Sequence, residues 1–177
     1  LLAILAVVVV LWLLLQTVRF IPNNRVGVVE KRFSTKGSVK SGLIALHGEA
    51  GYQPEVLRGG IHFLVPFQYR VHSVRLITVP QGKIGYVFAR DGVALDAGQV
   101  LGHGTESNNF QNVRTFLTNE GQRGPQRQIL REGTYAINLA QFVVITQDGV
   151  QYLQLSREEA ATFRSMADVI AERAGFQ

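Results

Sequence analysis

At 177 residues, with 46% hydrophobic and 18% charged positions, the chain has room for one or two small domains. It has no cysteine, which excludes a disulfide framework, a thiolate zinc site and a cysteine nucleophile. Residues 16–75 carry nine Lys/Arg against three Glu, whereas 76–177 carry nine against ten acids, so the basic excess follows the apolar N-terminus. It does not form the separate basic face expected of a nucleic-acid binder.

Residues 1–15, L-L-A-I-L-A-V-V-V-V-L-W-L-L-L, contain no charge, Gly or Pro. Fifteen helical residues reach about 22 Å, short of the roughly 30 Å hydrocarbon core of a bilayer. Continuing the helix to Phe20 or Ile21 closes the gap, which predicts a transmembrane anchor over 1–21 with Leu5, Val9, Trp12 and Leu15 in the span. No small-x-small cleavage site follows, as a removed signal peptide would require. The chain opens on Leu, so further residues are expected upstream. Arg19, Arg25, Lys31, Arg32, Lys36 and Lys40 follow closely, with Glu30 the only acid among them. Positive flanks stay cytoplasmic, so the expected location is the inner plasma membrane, single-pass, with the soluble part facing the cytoplasm.

Ile21-Pro22-Asn23-Asn24 predicts a turn ending the membrane helix, then a strand over 25–33 and a loop over 34–51. The centre of the chain is 54–80. Arg58-Gly59-Gly60 can turn without steric penalty, Pro66 belongs at an edge or strand end, and 71–79 alternate as one strand. Two short alternating runs around Asp91-Gly92 predict a hairpin over 83–95. Residues 99–111 read as a loop, and 113–117 fit either a short helix or a strand. A second hairpin is expected over 142–155, turning at Asp148-Gly149. Ser156 and Glu159 form a capping box for a helix over 157–174, which Gly175 stops. Its apolar stripe, Ala160, Phe163, Met166, Ala167, Ile170 and Ala174, suits the adjacent sheet or a seam to a neighbouring subunit.

Two landmarks recur in the same order. The frame apolar-Pro-polar-x-basic-apolar-Gly-x-Val occurs at 21–29 and again at 79–87, and Leu57-Arg58-x-Gly60 matches Leu130-Arg131-x-Gly133. This predicts a tandem duplication of one small β unit. The expected segments are an anchor over 1–21, a first β unit over 22–80, a duplicate over 81–141, and a hairpin plus helix over 142–177. Ala174-Gly175-Phe176-Gln177 repeats Ala50-Gly51-Tyr52-Gln53, hinting at a further copy.

An apolar N-terminus, then I-P-N-N-R-V-G-V-V-E, L-R-G-G-I-H-F-L-V-P-F and R-V-H-S-V-R, resembles the stomatin–prohibitin–flotillin (SPFH) superfamily, in its longer, flotillin-like bacterial branch. Ile145-Thr-Gln-Asp-Gly-Val150 is similar to the step that opens that family's second subdomain. The resemblance implies an α+β fold: a transmembrane helix, small repeated β-rich units of SPFH type and a helix near the C-terminus. It also implies a membrane scaffold that homo-oligomerises into a ring or cage and organises a membrane microdomain. The alternative is a regulatory subunit for a membrane protease or another membrane-protein client.

Two readings stay open for the centre of the chain. Either Phe63, Leu64, Val65 and Phe67 around Pro66 dip into a lipid leaflet, or the aromatics fill the sheet's own core. Arg19, Arg25, Lys31, Arg32, Arg58, Arg70 and Arg75 are candidate contacts to lipid phosphates. No carboxylate pair, nucleophile elbow or phosphate-cradling loop occurs, and Gly102-His103-Gly104-Thr105 lacks the required Lys, so neither catalysis nor a cofactor is expected. His47, His62, His72 and His103 lack the spacing of metal ligands.

Overall fold

The computed structural model of the chain describes residues 16–147 together with Ile4, Trp12, Ala161, Arg164, Ser165, Met166, Asp168 and Val169. Its first unit contains β1 (Val18–Ile21), β2 (Arg25–Lys31), β3 (Gly51–Leu57), β4 (Gly60–Phe63) and β5 (Tyr69–Arg75). The second contains β6 (Ile77–Val79), β7 (Tyr86–Ala89), β8 (Gly124–Pro125), β9 (Gly133–Tyr135) and β10 (Phe142–Ile145), with a short helix α1 (Val113–Thr118) inserted before β8. Each unit is a two-stranded ribbon, β1–β4 or β6–β9, beside a three-stranded antiparallel sheet, β3–β2–β5 or β10–β7–β8.

The two units share their registers residue by residue. Ile21 faces Gly60 in one ribbon and Val79 faces Gly133 in the other. Val29 pairs with Val71 and Val87 with Val144; Gly27 pairs with Leu57, and Gly85 bridges Leu130. Polar details repeat too. The Gln53 amide donates to the Glu49 and Gly51 carbonyls, as that of Gln126 does to Gln122 and Gly124. His62 Nε2 lies 2.6 Å from the Arg58 carbonyl, and the Tyr135 hydroxyl donates to the Arg131 carbonyl at 2.9 Å. Gly60 and Gly133 both sit at positive φ, +134° and +145°, where a Cβ is strained. The repeated L-R-x-G motif therefore marks one strand-to-strand turn built twice.

The main core belongs to the second unit, where Phe110 and Phe116 meet Phe142 edge-to-face at 5.2 and 5.0 Å above Val79, Val87 and Leu130. Ile44 and Tyr52 of the first unit complete that cluster. At the same junction the Asn138 amide donates to the Gln53 and Pro54 carbonyls. Arg114 pairs with Glu55 at 2.6 Å, and that hydrogen bond holds the guanidinium pKa above its ordinary value.

Several expectations need correction. Among the described residues no helix is long and apolar enough to cross a membrane, which overturns the α+β fold with a single-pass anchor and the inner-membrane placement drawn from it. Residues 18–21 form a strand, because Val18 and Phe20 alternate with Arg19 and Ile21 and β4 satisfies their backbone groups. Leu5, Val9 and Leu15 lie outside the described residues, as does most of 148–177 with its expected hairpin, capping box and repeat fragment. The six described residues within 161–169 are helical and exposed. The alternation over 71–79 breaks at Leu76, giving β5 to one sheet and β6 to another ribbon. The hairpin at Asp91-Gly92 does not form. The Asp91 carboxylate instead accepts from the Leu43 and Ile44 amides, and β7 pairs with β10 and β8.

Candidate lipid-contact surface

The β1–β4 ribbon has two chemically distinct faces. Val18 pairs directly with Phe63 and Phe20 with Ile61, so these four share one face, while Arg19, Ile21, Gly60 and His62 share the other. Ile21 is buried against the sheet. A Cβ added at Gly27 would sit 2.5 Å from Ile21 Cδ1, so glycine there lets ribbon and sheet approach. The outer face has no such cover. Phe20 is 71% exposed, Ile61 63% and Phe63 74%.

The loop after β4 extends this surface. Val65 and Phe67 are exposed, whereas Leu64 and Pro66 are half-buried, and the Leu64 amide donates to the Thr17 carbonyl. Phe67 has φ of 64°, an uncommon conformation for an aromatic residue, and its ring lies 6.4 Å from that of Trp12. Phe33 is exposed at the same end, where the Gln68 carbonyl accepts from the Arg32 amide. Of the two readings left open by the sequence, the structure places Phe63 and Phe67 on the surface. Leu64 turns inward.

The seven candidate cations separate. Arg19, Arg32 and Arg70 line one cavity of about 420 Å³ with Trp12 and Phe67. Lys31 is bound to the Gly48 carbonyl and the Ser34 hydroxyl, and Arg58 donates to the Gln111 side chain. Arg25 and Arg75 face each other across β2 and β5 at the opposite end of that sheet from Lys31 and Tyr69, roughly 20 Å away. Among the described residues, no group of three or more His, Asp and Glu could hold a metal ion.

The expected group omitted Val18, Phe20, Phe33 and Ile61. For Val18, Phe20 and Ile61 the signal lies in pairing V-R-F-I with G-I-H-F, which only knowledge of the ribbon's register supplies. No family model, curated protein or solved structure matches the chain.

Proposed function

We propose that the chain is a subunit of a lipid-surface scaffold. It docks through the outer face of the β1–β4 ribbon and the loop beyond it, and it assembles with copies of itself. One observation carries the docking part. Equivalent ribbon positions in the second unit are Thr78 and Thr134 in place of Phe20 and Ile61, and Ala136 and Ala140 replace Phe63 and Phe67. At Thr78 and Thr134 the same ribbon register therefore folds without apolar side chains outside, so Phe20 and Ile61 are not a requirement of folding, whereas Ala136 is buried. A contiguous exposed apolar patch edged by cations fits an interfacial membrane contact.

Self-assembly rests on a second difference between the units. Val26 and Val28 are buried on the inner face of β2, and Tyr52 on that face packs into the second unit's cluster. Their counterparts Ile84 and Tyr86 are exposed, together with Phe88 and Ile145, so the second unit presents the sheet face that the first unit covers within the chain. A client protein, such as a membrane protease, is the other occupant to consider for that face. The repeat favours a second copy, since Tyr52 on the corresponding face of the first unit already packs into the second unit's cluster.

The test exploits the absence of native cysteine. A single cysteine at Phe63, carrying an environment-sensitive fluorophore, is expected to shift to the blue and to be quenched by bromine-bearing lipids when vesicles are added. The same label at Thr134 is expected to stay in water. Equal responses at both sites would refute docking through the first ribbon.

A further inference from the structure

We infer that the cavity lined by Arg19, Arg32 and Arg70 is a binding site for a phosphate ester, of the kind carried by anionic lipid headgroups. This deepens the lipid-surface reading and rests on it for the source of the phosphate.

The three guanidinium groups come from separate segments. Arg19 lies on β1, Arg32 directly follows β2, and Arg70 lies on β5. Among the described residues, no Asp or Glu lines the cavity. Glu30, directly opposite Arg70 in the register, is bound to His72 Nε2 at 2.7 Å, and among the described residues none of the three arginines has an ion-pair partner. The three arginines are exposed, so water screens their mutual repulsion, and an entering anion meets three cations without a competing carboxylate among the described lining residues. Arginine suits a phosphate better than lysine because its planar fork donates two parallel hydrogen bonds to adjacent oxygens.

The second unit provides an internal control. By its shared register, Arg19 corresponds to Ile77 and Arg70 to Val143, whereas Arg32 corresponds to Arg90. The Arg32 amide donates to the Gln68 carbonyl and the Arg90 amide to that of Gln141, both at 2.8 Å. Two of the three cations are thus specific to the first unit, and that unit also carries the aromatic surface. Trp12 and Phe67 form the apolar side of the cavity. A ligand would meet cations and the edge of an apolar patch together, as it does at the headgroup level of a bilayer.

The experiment uses the full chain and Arg19→Ile/Arg70→Val, which places in the first unit the residues that the second carries. Calorimetry with glycerol 3-phosphate reads the site itself. Wild type is expected to bind, with affinity at least tenfold lower in the double variant at an unchanged melting temperature. A single Arg70→Gln variant, which keeps size and polarity, is expected to lose at least threefold. Equal binding by all three proteins, or none by wild type, would overturn the site.

Vesicles then distinguish the source. A preference for phosphatidic-acid vesicles over phosphatidylcholine vesicles that vanishes in the double variant supports the lipid headgroup. A vesicle preference unaffected by the variant, alongside lost glycerol 3-phosphate binding, overturns the lipid source and leaves a site for a soluble phosphate ester. Absence of any wild-type vesicle binding refutes the docking reading separately, whatever calorimetry shows.

Discussion

The two units of this chain are one strand arrangement with two surfaces. Each closes a ribbon over a three-stranded sheet in the same register, with glycine at the turn and a leucine opposite the close-approach glycine. The first ribbon displays Phe20, Ile61 and Phe63 to solvent, while the corresponding part of the second has Thr78 and Thr134 exposed and Ala136 buried. The reverse holds on the sheets, where Val26 and Val28 are buried and Ile84 and Tyr86 are not. Shared positions report what the fold needs. Differing positions report what each unit does with it.

The largest expected effect comes from erasing that difference. Replacing Phe20, Ile61, Phe63 and Phe67 by the second unit's Thr, Thr, Ala and Ala removes side chains worth about 1.5–3 kcal/mol each on full withdrawal from water. Even partial insertion of the four predicts roughly a hundredfold loss of vesicle partitioning, read by flotation. The melting temperature should hold, because none of these side chains is buried. Retained partitioning would mean that another part of the chain carries the contact.

A second comparison probes the shared architecture. A Cβ at Gly27 would meet Ile21 Cδ1 at 2.5 Å and Val71 Cγ1 at 2.8 Å, both within the packed ribbon–sheet contact. At Gly85 the corresponding Val79 and Val144 methyls lie at 3.3 Å. Gly27→Ala is therefore expected to destabilise by about 1–3 kcal/mol through overpacking. Gly85→Ala should fall within about 1 kcal/mol of neutral, since reduced freedom of the unfolded chain offsets the tighter contact. Urea denaturation of the two variants measures the contrast, and equal costs would show that the first ribbon is no more tightly seated than the second.

The repeat was legible in the sequence because its landmarks are backbone requirements. Pro22 and Pro80 start equivalent turns, Gly27 and Gly85 admit a neighbouring strand, and Gly60 and Gly133 occupy positive φ. Residues under such constraints keep their identity while the surface diverges. What failed was any inference that required partners distant in sequence. An apolar run followed by V-R-F-I looks like the end of a helix until β4 is known to supply its hydrogen bonds. Likewise, Asp91-Gly92 looks like a hairpin turn until the carboxylate is seen holding the Leu43 and Ile44 amides. The candidate site was half visible. Phe63 and Phe67 stood out by composition, but the grouping of Arg19, Arg32 and Arg70, and the separation of Arg25 and Arg75 from them, depends on strand direction.

The smallest effect expected is also the one that separates function from stability most cleanly. Phe67 holds φ of 64° with its side chain exposed, a backbone state that costs a non-glycine residue on the order of 1 kcal/mol or more. Its counterpart Ala140 is not among the residues at positive φ, so the strained turn belongs to the first unit alone. Phe67→Gly relieves that strain, but it frees the unfolded chain by a comparable amount, so folding stability should rise by at most about 1 kcal/mol. Vesicle partitioning should fall at the same time, because the ring beside Trp12 is lost. An exposed aromatic kept in a strained conformation is intelligible if the ring is directed at something outside the chain. A clear loss of stability in Phe67→Gly would place the ring in the first unit's own packing instead, and the apolar face would then have to be explained without its loop.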